Sequence, residues 1–458
     1  MKIINILINS IFILYLSACA NNPIRSYKDD GDKMLTSIYN TPSNTKIAPD
    51  KFGDNKNPDI LFHMEYGAYL RMVGDITNSD MELAIAQNYV NNWVYTWKNT
   101  TSGKVATITT QMLINDSVTE YEPHGYEKTM LATLRALNHI DDNNWDNARI
   151  EIKRMYEVEQ AIENYNAVLY AVNKSQMQKI ESNKQKNDVY ATITQKYNFE
   201  DINSPQVLKL KNGYQNAFSH YLAGFVFEAL HEDSLSRPGY LKSGQLSPLN
   251  KLPQHAIDNI DNGVRVKPGY SDVLIIEEVG HAPQVKSKAI HIPFPIPING
   301  NICITNLNIF FPELVPDKYN ANKIDYQIDN RTQNQELFTD FNLLQARVIH
   351  DNMPHIISRN IAAAMRNISA SVLSCSLTGN NLLSIGTSIA GAFIDNADER
   401  TWVLLPSKIF LNRVQLTLGN HTLTVMINGI IHTHRVHLTA PYQIISIRIL
   451  NNEVFINK

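Results

Sequence analysis

The sequence predicts an α+β fold: an N-terminal helical-repeat array, then a mixed domain that ends in a small antiparallel β-module. Two observations predict it. Between residues 59 and 247, apolar side chains recur at helical spacing and short polar turns break the runs. After residue 269 the period becomes that of strands, and Gly419-Asn420 and Asn428-Gly429 supply two hairpin turns between alternating segments. The 458 residues are 43% hydrophobic and 19% charged, enough for a large core. A net charge of −3 with no long block of one sign offers no footprint for nucleic acid.

Taken in order, the chain opens with Met1-Lys2 and a mostly apolar run from Ile3 to Leu16. That run is too short to cross a bilayer permanently and reads as a secretory leader over residues 1–18. Leu16-Ser17-Ala18-Cys19 resembles the lipobox of bacterial lipoproteins. The resemblance implies that the Cys19 thiol is lipidated, that the chain is cut before it, and that the new amino terminus is acylated. Several acyl chains anchor stably where one does not. By the same resemblance, Ala20 in place of Asp implies transfer to the outer membrane, facing the periplasm. An ordinary signal peptide with a chance cysteine is the alternative. Residues 19–58 are rich in Asn, Asp, Lys, Pro and Ser without apolar periodicity, which predicts a tether.

The helical half, 59–247, holds three hairpins. Leu61, Met64, Tyr66, Tyr69 and Leu70 share one apolar side before Gly74-Asp75, and Met81 to Trp97 follow. Tyr126 to Ile140 precedes a polar turn and a helix from Trp145; Tyr214 to Leu230 precedes His231-Glu232-Asp233 and a shorter helix. A small residue early in the first helix, a bulky one three later and a small one in the second resemble the tetratricopeptide repeat. Gly224 with Phe227 and Tyr240 fits that pattern, and Ala136 with His139 and Ala148 fits more loosely. Gly67 with Leu70 and Ala84 requires a longer turn. Inserts at 100–122 and 174–204 interrupt the period, and the polar Met177–Asn203 stretch predicts a solvated extension. Such hairpins stack to bury their apolar sides and leave a curved binding surface; a plain bundle without a groove is the alternative.

Residues 248–268 carry scattered Pro, Gly and Asn and predict a linker; 269–458 form the mixed domain. Ser271–Val279 reads as a buried strand. Prolines 293, 295 and 297 place Ala289–Pro297 at an edge, since proline gives no ladder donor. Further strands are expected over Ile302–Phe311 and Asp325–Asn330. Phe341–Cys375 reads as helix with a kink or fresh start at Pro354, and Asn381–Ile394 as an apolar, small-residue stretch that pairs with it in the core; a membrane-inserting hairpin is the alternative, against which each run is too short to span. Strands from Asp398 onward complete the β-module. Cys303 and Cys375 fit either a disulfide or two buried small hydrophobes.

The lipobox, Gly125-Tyr126-Glu127-Lys128, Ala148 to Arg154, Val285-Lys286 with Ile292 to Ile296, and Asp398 to Pro406 with Arg413 occur in one order. Together they resemble an uncharacterised family of Gram-negative outer-membrane lipoproteins with tetratricopeptide-like repeats. The resemblance implies envelope assembly by association with lipoproteins that activate peptidoglycan synthases.

Candidate sites are few. Glu151, Lys153 and Arg154 form a charged helix face that suits a partner's carboxylates, or a merely solvated side. Asp398, Arg400 and Arg413, with Glu399, are expected as ion pairs around Trp402 that fix how elements dock. His432 and His434 share one strand face, His437 lies on the other, and His421 lies across the turn; exposed decoration outweighs a metal site. Glu277 and Glu278 beside His281 face opposite ways and cannot act as a pair. No phosphate loop, Gly-x-Ser-x-Gly, His-Glu-x-x-His or spaced cysteine ligand set is present. The sequence therefore predicts a membrane-tethered scaffold or regulator that binds periplasmic or outer-membrane proteins, without cofactor, metal or nucleic acid. An envelope enzyme using the C-terminal histidines and a secretion accessory are the rivals.

Overall fold

A computed structural model describes residues 26–41, 45–98, 120–298, 301–317, 324–378 and 397–457. The leader, Cys19, the 100–119 part of the first insert and the 381–394 stretch lie outside the described residues, as do the side chains of Cys303 and Cys375. After α1 (Tyr27–Tyr39), three helical hairpins follow: α2 (Ile60–Met72) with α3 (Ile76–Lys98), α4 (Gly125–Asp141) with α5 (Trp145–Glu181), and, after α6 (Lys184–Lys196) and α7 (Pro205–Lys209), α8 (Ala217–Ala229) with α9 (Asp233–Leu246). Helix starts are set locally. The Asp59 carboxylate accepts from Phe62 N–H at 2.8 Å, and the Asn144 and Asn216 side chains accept from Asn147 and Ser219.

All three hairpins turn in the same way. Gly74, Asn143 and His231 adopt positive φ of 79°, 56° and 59°. The next residue's N–H then returns to a carbonyl in the last turn: Asp75 to Leu70, Asn144 to His139, Glu232 to Phe227, at 2.7–2.8 Å. Across the turn, Ser79 Oγ donates to the Gly67 carbonyl at 2.8 Å and Ser236 Oγ to that of Gly224 at 2.7 Å, with a separation of 12 in both. Ala136 and Ala148 occupy the same places in the second hairpin. The partner of Gly67 is therefore Ser79, not Ala84, and its turn is no longer than the others. Serine substitutes for a small apolar residue because its hydroxyl finds the facing carbonyl.

The strands are β1 (Tyr270–Val279), β2 (Gln284–Ile298), β3 (Asn301–Val315), β4 (Ile324–Ile328), β5 (Arg331–Thr332), β6 (Glu336–Asp340), β7 (Lys408–Thr417), β8 (Gly419–Ile427), β9 (Ile430–Leu438), β10 (Tyr442–Leu450) and β11 (Glu453–Asn457). They form a five-stranded sheet in the order β11-β10-β1-β7-β6, a four-stranded sheet β5-β4-β8-β9, and a two-stranded ribbon β2-β3. Among the described strands only β1 and β10 run parallel. β1 is apolar on both faces because it is covered on both. Leu274 and Ile276 face the helices, while Val273, Ile275 and Val279 face the smaller sheet. The C-terminal strands are antiparallel for the most part, but they do not close as a separate module. β7, β10 and β11 enter the large sheet, whereas β8 and β9 join β4 in the small one.

Four other expectations change. Residues 26–57 are not merely a tether: Ser26 caps α1, and Met34, Leu35, Ile38, Ile47 and Phe52 pack with Phe62, Tyr69 and Val403. A few apolar side chains at helical spacing suffice even in a polar stretch. The 248–268 linker contains α10 (Leu252–Asp261), with Ala256 and Ile257 buried. The Met177–Asn203 stretch is docked: Ile180, Val189, Ile193, Tyr197 and Ile202 are buried with Ile292 and Leu307 of the ribbon. Helix α11 (Phe341–Thr378) is continuous through Pro354, so the proline is not a fresh start.

Candidate functional site

Two buried glutamates of the hairpins hold the segment between α11 and β7. Glu127, in the first turn of α4, accepts from Trp402 N–H at 2.7 Å, His124 N–H at 2.7 Å and the Tyr121 hydroxyl at 2.5 Å. Glu65 of α2 accepts from Val403 N–H at 2.5 Å and Leu404 N–H at 2.9 Å. Three successive amides of one turn thus converge on carboxylates from two hairpins, an arrangement of backbone donors suited to anions. Burial pushes the Glu65 carboxyl up to about 8, against the opposing pull of the two amides. Neither glutamate stood out in the sequence as a functional residue; the available signal was an acid on an otherwise apolar helix side.

The expected cluster around Trp402 divides in two. Arg400 pairs with Asp398 at 2.7 Å and lies over Tyr121, 5.3 Å from the ring centroid. Trp402 is fully buried beside it. Arg413 is elsewhere: on β7 it meets Asp272 at 2.8 Å, Glu228 at 2.6 Å and the Tyr240 hydroxyl at 2.9 Å, tying the third hairpin to the large sheet. The intervening β-strand carries it away from Asp398. Glu399 instead accepts from Ser26 Oγ and Ser287 N–H.

The Glu151-Lys153-Arg154 face is likewise corrected. Glu151 is buried and pairs with Arg135 at 2.8 Å as well as with Arg154. Only Lys153 is exposed and Arg154 half-buried. Glu151 points inward because α5 packs that side on α4.

A cavity of about 610 Å³ lies between the first two hairpins and α11. Its aromatic wall is Trp93, Trp97 and Tyr165, with Trp97 and Tyr165 edge-to-face at 4.6 Å. The Lys128 ammonium sits 4.1 Å from the Trp93 ring centroid and donates to the Glu122 carboxylate and the Pro123 carbonyl. The Trp93 indole N–H is buried with no acceptor among the described residues. His124, Asp351, Arg359, Asp398 and Arg400 complete the polar rim. A second cavity of about 740 Å³, between α1 and α2, shares Arg400, so the Asp398–Val403 segment separates the two.

His432 and His434 lie opposite Val425 and Leu423, on the face that also holds His421, and His437 lies on the other. His421 is held by Asp329 at 2.6 Å and by the Thr417 carbonyl at 2.7 Å. Among the described residues no group of three His, Cys, Asp or Glu is placed to hold a metal. Glu277 and Glu278 face opposite sides of β1.

Neither Glu277 oxygen has a partner among the described residues, and burial pushes its carboxyl up to about 8. It stays protonated in the fold while the unfolded chain ionises near 4.5. Its contribution is therefore fully present below 4.5 and lost as pH rises towards 8, at about 1.4 kcal/mol per pH unit at the steepest. Glu277→Gln is expected to remove that slope; urea titrations of both proteins at pH 5 and 7.5 measure it. Equal slopes would refute the assignment.

No helix of the described residues is long and apolar enough to cross a membrane. Comparison with protein-family models, curated proteins and solved structures gives no match for this chain.

Proposed function

We propose that this chain is a lipid-anchored protein on the periplasmic face of the outer membrane, binding a protein partner as a scaffold or regulator of envelope assembly. It does so as a binding protein and not as an enzyme. Leu16-Ser17-Ala18-Cys19 supports the anchor. The common turn of the three hairpins, with small residues facing each other across it, supports their description as tetratricopeptide-like repeats. The lipobox, with Gly125 to Lys128, Ala148 to Arg154 and Asp398 to Pro406, underlies the likeness to repeat-bearing outer-membrane lipoproteins.

The observation that carries the binding role is the cavity on the hairpins' inner side. Aromatic rings with a polar rim suit an extended peptide: the rings take an apolar side chain and the rim bonds its backbone. A photoreactive residue at Asn166, exposed on the cavity wall, tests this in growing cells. The expected result is one repeated envelope-protein adduct that is absent from the same group at exposed Leu249 and reduced by Cys19→Ser. No repeated adduct, or equal adducts at both sites, would end the proposal.

A further inference from the structure

The ribbon β2-β3 changes character along its length. Its base is charged, with Lys288 and Glu313 paired at 2.6 Å. Beyond that pair, residues 289–312 contain no Asp, Glu, Lys or Arg. One face of this distal part is buried: Ile290, Ile292, Leu307 and Ile309 pack with Ile361, Ala364 and Ile368 of α11. Helix α11 likewise carries no charged residue from 367 to its end at 378. The opposite face carries His291, Asn308 and Asn306 nearer the base, and beyond them it is exposed and apolar, with Ile302 66% and Ile304 51% accessible beside exposed Pro293 and Pro295.

The prolines decide what this face suits. Pro293, Pro295 and Pro297 pair with Asn306, Ile304 and Ile302, so they occupy alternate positions of β2. Alternate residues direct their amides to the same strand edge. Phe310 belongs to the corresponding set on β3, and its N–H and carbonyl turn outward to the Asn360 side chain. The three prolines accordingly lie on the outer edge of β2, where they remove donors without breaking the ladder. In water an outer edge is commonly protected by charge, above all by lysine. Here the edge's own residues are uncharged: the Lys196 ammonium reaches only the His291 carbonyl near the base, at 3.0 Å, and beyond it the prolines relieve the edge of groups that hydrocarbon cannot satisfy.

We infer that the distal β2-β3 ribbon, with Ile302 and Ile304 leading, dips into the surface of a lipid bilayer. The insertion is shallow, on the order of 5–10 Å into the headgroup and acyl boundary. A spanning role is excluded by the ribbon's two open edges. The paired charges at its base then stop at the headgroups, and the body stands off the membrane independently of any acyl chain at Cys19.

The test uses the full chain with a photoreactive residue at 302 and vesicles of phosphatidylethanolamine and phosphatidylglycerol. A lipid adduct at least tenfold above that from Leu249, which is 94% exposed, is expected. Moving the group to Pro295 and adding Ile302→Asp with Ile304→Asp should reduce the adduct at least tenfold; both isoleucines are surface residues, so the fold tolerates the change. No adduct at 302, equal adducts at 302 and 249, or an unchanged yield in the double variant would overturn the inference. Adducts only to protein in cells would assign the strip to a protein partner instead.

Discussion

Arg413→Ala is expected to destabilise the protein by about 3–5 kcal/mol, the cost of removing one partner from a buried ion cluster. The guanidinium is 9% exposed, and the carboxylates it meets, Glu228 and Asp272, are 4% and 8% exposed. Alanine leaves both anions in the core without a cation. The exposed Arg237–Asp261 pair, 48% and 47% accessible, is the control: Arg237→Ala should cost far less than Arg413→Ala, because water screens the pair. Urea denaturation at pH 7 gives both values. A loss below about 1 kcal/mol would show that Arg413 does not carry the dock.

Glu127→Ala should be comparably severe, at about 3–5 kcal/mol. It leaves Trp402 N–H, His124 N–H and the Tyr121 hydroxyl without their acceptor, and each buried group left unmade costs about 1–3 kcal/mol. Glu127→Gln keeps one accepting oxygen and should cost less. The specific readout is amide hydrogen exchange at residues 402–404. Protection there should fall in Glu127→Ala before protection in β1 does, because the turn is held by side chains from the helices while β1 is held by two neighbouring strands. Unchanged protection at Trp402 would remove Glu127 from its role as the clasp.

These two residues mark where local sequence information stops. The three helical hairpins and most strands were legible, because a helix stripe and an alternating strand are written in neighbouring residues; β5, β6 and β11 were not, and the strand expected over Asp398–Pro406 is instead the turn that Glu65 and Glu127 hold. The polar turns were legible as well at Gly74 and Asn428-Gly429, but the hairpin expected at Gly419-Asn420 does not form: both residues belong to β8, and β7 and β8 lie in different sheets. The packed elements hidden in polar stretches were not. Helix α1 rests on Met34, Leu35 and Ile38, too few to raise a periodic signal above the surrounding Asp, Lys and Ser. Residues 177–203 carry charges on the outside of helices whose buried side is held by Ile180, Val189 and Ile193. Of the candidate site residues, Asp398 and Arg400 do lie at a cavity rim, but Arg413 was grouped with them from shared charge and sequence proximity alone. Glu151 was placed on a solvated face because a helix in isolation does not reveal which side its neighbour covers.

The sequence alone determined the period of most segments, the apolar run that leads into Leu16-Ser17-Ala18-Cys19, and the charge-free run from 289 to 312. Those properties depend on adjacent residues and survive in an unfolded chain. Only the tertiary structure decided that C-terminal strands divide between two sheets, that Glu65 and Glu127 hold Trp402 to Leu404, and that aromatic residues from separate hairpins enclose one cavity. Each of these joins groups far apart in the chain, as with Glu127 and Trp402 at a separation of 275. Such pairings follow from the collective burial of apolar surface and the satisfaction of buried polar groups, which no local pattern encodes.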